Sequence, residues 1–492
     1  MGTRLYTAAQ VRELDRCAIT TLGISAHVLM QRAAAAAWRV LRARWPHARR
    51  VVVLCGSGNN GGDGYLLACI ARDAGVQASV IALAPSASGD AERACAQWRN
   101  ARGAILDIDE TLPEADVYVD ALFGTGLTRP VEGAARNLIE QLNANRQPVL
   151  ALDVPSGISA DSGEALGAAV RATTTVTFVA HKRGLFTGAA SQHCGELVLD
   201  TLGLPESLYK DAVFDARLLD MRRMASWLPP RARDAHKGSF GHVLAIGGDA
   251  GMGGAIRLCA EAALRVGAGL VSIATRADNV AAINAGRPEL MAHAVKDALM
   301  LHPLLNHAQV IALGPGLGKG EWSRVLWQSA IAAGRATVID ADGLNLLARN
   351  VVHLPTHTVL TPHPGEAARL LECDTAAIAR DRYAAVREIA QEYGSVTVLK
   401  GAGTLIAHPQ GEVAVCPWGN PGMASGGMGD VLTGIIAGLL AQGLNTWRAA
   451  RLGVALHAQA GDAAAKQGEA GLIASDLFAH LRVLRNAWGA DE

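Results

Sequence analysis

The chain has 492 residues, half of them apolar and only 4% aromatic, with Lys plus Arg and Asp plus Glu balanced at 45 each. That length suits two or three domains with cores of Ala, Val, Leu and Ile, and the lack of a basic excess or stripe argues against a nucleic-acid partner. Met1–Gln10 lacks an apolar signal core, no uncharged apolar run reaches membrane-spanning length, and the eight cysteines are scattered without a CxxC pair, so a cytoplasmic protein off the membrane, with reduced core thiols, is expected.

Thr7-Ala8-Ala9-Gln10 has the form of a helix capping box. From there, short β-branched runs alternate with Ala- and Leu-rich helical stretches in both halves, the pattern of parallel sheets with crossover helices. In the first half the expected strands are Val51–Cys55, Ala78–Leu83, Val117–Asp120, Val149–Val154 and Thr173–Ala180. After the first of these, Cys55-Gly-Ser-Gly-Asn-Asn-Gly-Gly-Asp-Gly64 leads into a helix expected over Tyr65–Ala74. Such a turn offers free amides to an anion or dinucleotide, although a plain packing turn has the same composition. Two further strand-end clusters, Asp120-Ala-Leu-Phe-Gly-Thr-Gly126 and Asp153-Val-Pro-Ser-Gly157, favour a site, since open α/β sheets bind ligands at strand C-termini.

This combination, across roughly Tyr6–Leu204, resembles the NAD(P)H-hydrate epimerase family. The resemblance implies a Rossmann-like three-layer sandwich. It also implies that Asn59, Asn60, Gly61, Gly62 and Asp63, with Gly124, Thr125, Gly126, Leu127, Thr128, Arg129 and Pro130, bind the hydrated dinucleotide. It further implies that Asn60, Asp120 and Ser156 coordinate K+ through oxygen, and that Asp153 contacts the altered nicotinamide ring as acid–base group. The route from R to S hydrate stays open between Asp153-assisted proton transfer and transient ring opening. A non-catalytic binding module is the alternative, and Asn60, Asp120, Asp153 and Ser156 standing together argue against it.

Leu204–Arg233 carries Pro205, Pro229-Pro230 and mixed charges with little strand pattern, and the boundary is placed there, giving domains 1–218 and 219–492. The Arg222-Arg223 pair in this stretch reads as solvated charge. In the second half the expected strands are His242–Ile246, Leu270–Thr275, Val310–Leu313, Thr337–Asp340, Thr358–Leu360 and Val396–Leu399, followed by a hairpin of Thr404–Ala407 and Glu412–Cys416.

The turn ending in Gly426-Gly427-Met428-Gly429 feeds a helix marked by Val431, Ile435 and Leu439. Unpaired amides at such a helix start form an anion site. Asp430 beside it could take a proton from a hydroxyl attacking phosphorus; an Asp capping an ordinary Gly-rich turn is the plainer alternative. Gly314–Gly318, Thr361–Glu366 and Lys400–Thr404 each follow a strand and count toward a nucleotide site. Lys400 could offer an ammonium, and Glu366 could hold a phosphate-bound Mg²⁺ through water. None matches the Walker pattern.

From Asp234 onward the chain resembles the ribokinase-like superfamily and, within it, the ADP-dependent (S)-NAD(P)H-hydrate dehydratases, through His236-Lys-Gly-Ser-Phe-Gly241, Gly247–Gly254, Gly314–Gly318, Thr361–Glu366 and Gly426–Gly434. That implies a ribokinase-like α/β domain with Asp430 as base and with Ala255, Gly318, His363 and Asp430 on the hydrate. ADP, accompanied by Mg²⁺, would lie on Lys400, Gly401, Ala402, Gly403, Thr404, Gly427, Met428 and Gly429. The two halves together imply an isomerase and a lyase acting on NADHX and NADPHX, and a homo-oligomer is expected. A small-molecule kinase using the same Asp430 is the competing reading.

Overall fold

The computed structural model describes residues 2–85, 89–106, 111–350 and 352–487. It divides into two compact units, Met1–Arg217 and Leu218–Glu492.

In the first unit, seven parallel strands form one sheet: β1 (Arg50–Cys55), β2 (Gln77–Ala82), β3 (Ala104–Leu106), β4 (Val117–Ala121), β5 (Val149–Leu152), β6 (Thr174–Phe178) and β7 (Glu196–Asp200). Their order is β3-β2-β1-β4-β5-β6-β7, so the connection reverses direction between β1 and β4. Successive residues of a strand point to opposite faces. Val51, Val53 and Cys55 enter one core with α1 (Ala8–Leu22), α2 (Ala26–Arg44) and α3 (Asn59–Asp73), while Val52 and Leu54 enter another with α5 (Gly133–Ala144). The unit is therefore a three-layer sandwich. α4 (Gly89–Asn100) adds Ala94 and Trp98 to the first of these cores. Thr7 caps α1 through the reciprocal bonds of a capping box with Gln10.

The second unit has nine strands: β8 (His242–Ile246), β9 (Leu270–Thr275), β10 (Met291–Ala294), β11 (Val310–Leu313), β12 (Ala336–Ile339), β13 (Thr358–Leu360), β14 (Val396–Leu399), β15 (Leu405–Ala407) and β16 (Val413–Val415). Their order is β16-β15-β14-β13-β12-β11-β8-β9-β10, parallel except for the antiparallel pairings of β15. Val243 and Ala245 face a core shared with α6 (Gly253–Arg265) and α9 (Met428–Ala441), joined by α10 (Thr446–Ala465) and α11 (Leu477–Ala487). α9 is buried along nearly its whole length. It reaches that depth because Gly434 and Gly438 have no side chain: a Cβ would stand 1.9 Å from Cys259 O and 2.7 Å from Ala263 O of α6.

The structure departs from the sequence reading at several points. Strands β3, β7 and β10 were not expected. Each lies at the edge of its sheet and is half-exposed, so it lacks the continuous apolar run of a central strand. Helix α3 opens at Asn59 rather than Tyr65. A Cβ on Gly61 would meet Gly56 O at 1.9 Å, so packing holds helical a stretch whose glycines disfavour it. Among the described residues, no helix is long and apolar enough to cross a membrane.

Candidate active sites at the strand ends

In the first unit the loops after β1, β4 and β5 meet where the connection reverses, as the sheet geometry demands. Asp120 is fully buried at the end of β4. Its Oδ1 accepts from Ser156 Oγ at 2.6 Å and Leu122 N at 3.2 Å, and its Oδ2 from Ser156 N at 2.7 Å. Asn60 donates Nδ2 to Phe123 O at 3.0 Å, which leaves its Oδ1 buried with no partner among the described residues. Ser156 Oγ lies 3.3 Å from the same Phe123 O. An orphaned amide oxygen beside a carboxylate, a hydroxyl and a carbonyl is a donor set that fits K+, a hard cation.

Asp153 sits just past β5 with φ of 66°, a strained backbone for a non-glycine residue. Its Oδ1 accepts from Lys182 Nζ and, at 3.3 Å, from Phe178 N. Lys182 is 1% exposed and also donates to Thr177 Oγ1 at 3.0 Å and Phe178 O at 2.7 Å. Gly124 touches both groups, since a Cβ there would be 3.4 Å from Asn60 Cβ and 3.5 Å from Asp153 Oδ2. Two more carboxyls share this field. Burial pushes Asp15 up to about 6, with Lys182 opposing and Asp153 adding to the rise. Asp63 is held well above the usual carboxylate range by burial, then by Asp153 and Asp15. Asn59, Asn60, Gly61, Gly62 and Asp63 form the first turn of α3, and all but Asn59 are buried. In the loop 124–130, Gly126, Thr128, Arg129 and Pro130 are exposed, so this is the side open to a large ligand. The sequence reading missed Lys182 and Asp15. Lys182 follows the end of β6, so the strand-end rule applied to His181-Lys182-Arg183 would have found it; nothing local marks Asp15 on α1.

In the second unit, Gly427 (φ 92°) caps α9, so the amides of Met428, Gly429 and Asp430 open its first turn. Below them lies a second buried ion pair: Lys400 Nζ is 2.6 Å from Asp340 Oδ1 and 3.7 Å from Glu366 Oε2, and Thr433 Oγ1 donates to Asp340 Oδ2 at 2.7 Å. A Cβ on Gly429 would stand 3.2 Å from Lys400 Nζ, so the backbone cradle runs directly over the pair. Burial alone would raise Asp340, but the Lys400 charge outweighs it and holds the carboxyl below the usual range. Asp430 has no such partner among the described residues. Burial, then the Asp340 charge, pushes it up to about 7 against the pull of Lys400.

Gly318 lies against Asp249, and its N donates to Asp342 Oδ2 at 2.9 Å. A Cβ on Gly316 would be 3.2 Å from Ala255 Cβ, bringing Ala255 to the same loop. His363 caps the short helix α7 (Pro364–Leu370), accepting from Gly365 N at 3.0 Å, and is half-exposed. Gly401 and Ala402 are exposed, whereas the Lys400 ammonium is turned inward to Asp340. That loop therefore faces solvent with its backbone. It is held from behind by buried Arg382 of α8 (Arg382–Glu392), which donates to Leu399 O at 3.3 Å and Lys400 O at 3.2 Å. Arg382 was not foreseen either.

Glu366 is 5% exposed and already accepts from His363 N at 2.8 Å, with His363 Nε2 at 3.2 Å. It does not fit as a direct Mg²⁺ ligand. Among the described residues, no group of three or more His, Cys, Asp or Glu side chains is arranged to hold a metal. Mg²⁺ fits this site only as a companion of nucleotide phosphates.

Both halves of the chain are similar to known proteins. Residues 243–482 match the NAD(P)H-hydrate dehydratase family, and residues 26–184 match the YjeF-related protein N-terminus. The bifunctional NAD(P)H-hydrate repair enzyme Nnr of Coxiella burnetii is 50% identical over 98% of this chain and 100% of its own length. The chain belongs to the bifunctional NAD(P)H-hydrate repair enzymes. The family's Escherichia coli member is 43% identical, over 98% of this chain and 94% of its own. The second unit is similar to the ADP/ATP-dependent NAD(P)H-hydrate dehydratase of Bacillus subtilis, co-crystallised with ATP and Mg²⁺. That match has a TM-score of 0.51 and 28% identity, covering 55% of this chain and 98% of that one. Family membership carries an epimerase N-terminal and a dehydratase C-terminal part, with a ribokinase-like second fold.

Proposed function

We propose that the second unit transfers a phosphoryl group from ADP to the hydroxyl of the S hydrate and then eliminates phosphate, releasing AMP and restoring NADH or NADPH. The observation that carries this reading is Asp430, an unpaired carboxyl held near neutrality at the mouth of an amide cradle. Hydroxide is a poor leaving group and phosphate a good one. Ionised Asp430 takes the hydroxyl proton as oxygen attacks phosphorus, and the amides of Met428 and Gly429 stabilise charge on the transferred group. Gly401–Thr404 line the nucleotide, while Ala255, Gly318 and His363 position the hydrate. Mg²⁺ supplies charge neutralisation on the phosphates when bound.

The first unit interconverts R and S hydrates. Inverting a hydroxyl-bearing ring carbon requires a bond to that carbon to break and re-form, with one proton given and one taken. Asp153, oriented by Lys182, does the transfer, and Asp15 and Asp63 are carboxyls beside it that burial keeps protonated more readily than usual. K+ on Asn60, Asp120 and Ser156 supplies fixed positive charge, and the exposed loop 124–130 takes the dinucleotide. The cytoplasm, which holds NADH and NADPH, is the proposed location, and the proposed assembly is a homo-oligomer.

The test is an R/S mixture of NADHX incubated with ADP while NADH absorbance is followed. Full conversion is expected from the whole chain. Accumulation of a stable phosphorylated product without NADH would instead favour a small-molecule kinase.

A further inference from the structure

The second unit holds a cavity that neither reaction uses. It has a volume of roughly 1310 Å³ and lies among the segment Arg222–Arg231, the C-terminal end of α6 and the exposed end of α11. Six guanidinium side chains line it, Arg222, Arg231, Arg265, Arg287, Arg482 and Arg485, against two carboxylates, Glu261 and Glu289. The chain as a whole is neutral, so this concentration is local.

The carboxylates do not offset it. Buried Glu261 serves two arginines at once, Arg287 at 2.5 Å and Arg265 at 3.2 Å. Arg231 is fixed by donating to Gly267 O at 2.5 Å and by lying over the Phe240 ring at 3.7 Å. The Nε atoms of Arg287 and Arg485 are buried with no hydrogen-bond partner among the described residues. Burial, with a smaller contribution from the charge of Arg231, pulls Arg485 below the usual arginine range. Clustered, partly desolvated guanidiniums repel one another and leave donors unused unless an anion joins them. Ser226 and Asn486 also line it, and Leu228, Pro229 and Leu264 give the wall an apolar part.

We propose that this cavity binds a small molecule with a polyphosphate and a flat apolar body, the chemistry of a nucleotide, at a site distinct from that of ADP. Bidentate guanidiniums match phosphate oxygens, and Leu228 and Pro229 supply a surface for the base. Ala255, at the catalytic end of α6, is roughly 15 Å along the helix from Arg265, so both sites can be filled together. The Arg222 side chain, which reads from sequence as solvated charge, belongs to this wall.

The test uses the full chain with Mg²⁺ and no ADP, and variants of the cavity wall separate this site from the catalytic one. Inorganic triphosphate and ATP, each as the Mg²⁺ complex, are titrated calorimetrically. Triphosphate is expected to bind at the cavity, and ATP more tightly. Arg482→Gln and Arg485→Gln should each weaken both by about tenfold or more without changing the rate of NADH recovery. Glu289→Gln, at an exposed position, should tighten both. Absence of triphosphate binding, or affinities equal in wild type and all three variants, would overturn the site. ATP binding no tighter than triphosphate would overturn the apolar half of its ligand.

Discussion

Each unit buries a lysine against an aspartate at the C-terminal edge of a parallel sheet, and the two pairs are used differently. In the first unit Lys182 holds Asp153 itself, the residue proposed to react. In the second, Lys400 holds Asp340, and Asp430, the base proposed there, stands one group away with no ion pair among the described residues. A lysine bonded to a carboxylate favours its ionised form, whereas a buried carboxyl without a partner is pushed toward neutrality. One arrangement orients the carboxyl proposed to react; the other leaves the proposed base pushed up to about 7.

The largest expected effect breaks the second arrangement. Asp430→Asn should abolish NADH recovery from either hydrate, and measurable recovery of the S fraction would remove Asp430 from the mechanism. Asp153→Asn should leave recovery of the S fraction intact and slow only the R fraction, so an unchanged R fraction counts against its role.

Next come the lysines. Replacing either by Met leaves a buried carboxylate uncompensated, which costs about 3–5 kcal/mol. Lys400→Met and Lys182→Met should both lower the melting temperature. Below that temperature Lys182→Met should lose only R-fraction recovery; equal loss of both fractions would show that the Lys182–Asp153 pair is merely structural.

A smaller effect is the pH response. Asp430 must be ionised to act, so the dehydration rate should climb as pH rises through about 7. Stability runs the other way. The fold keeps this proton up to about 7 while the unfolded chain releases it near the ordinary value of 3.8, so the contribution is present at low pH and is lost as pH rises through about 7. Asp430→Asn should therefore melt higher than wild type at pH 8, with the gap closing toward pH 4; a gap that is constant across this range would contradict the raised value.

The smallest effect concerns the cation. KCl should raise the melting temperature of the full chain more than LiCl at equal ionic strength. Asn60→Ala should erase that difference. An equal shift from both salts in wild type would exclude a K+ site on Asn60, Asp120 and Ser156.

Much of this was legible along the chain. Central strands announce themselves by continuous apolar runs, and a Gly-rich turn ahead of a periodic helix marks Gly427–Asp430 as a candidate anion site. The edge strands Ala104–Leu106, Glu196–Asp200 and Met291–Ala294 did not, because a half-exposed strand needs no such run. Gly56–Gly64 reads both as an anion or dinucleotide cradle and as a packing turn; Gly61 is required by contact with Gly56 O, and the Asn60 oxygen left without a partner among the described residues is a further sign of a ligand.

By itself the sequence determined which loops stand at strand ends and which carboxyls they carry, since those are local patterns of spacing. Tertiary structure decided the pairing: Lys182 with Asp153 across 29 residues and Lys400 with Asp340 across 60. A carboxyl's chemistry depends on the charges gathered around it and the water excluded from it, and both are set when distant strands come side by side.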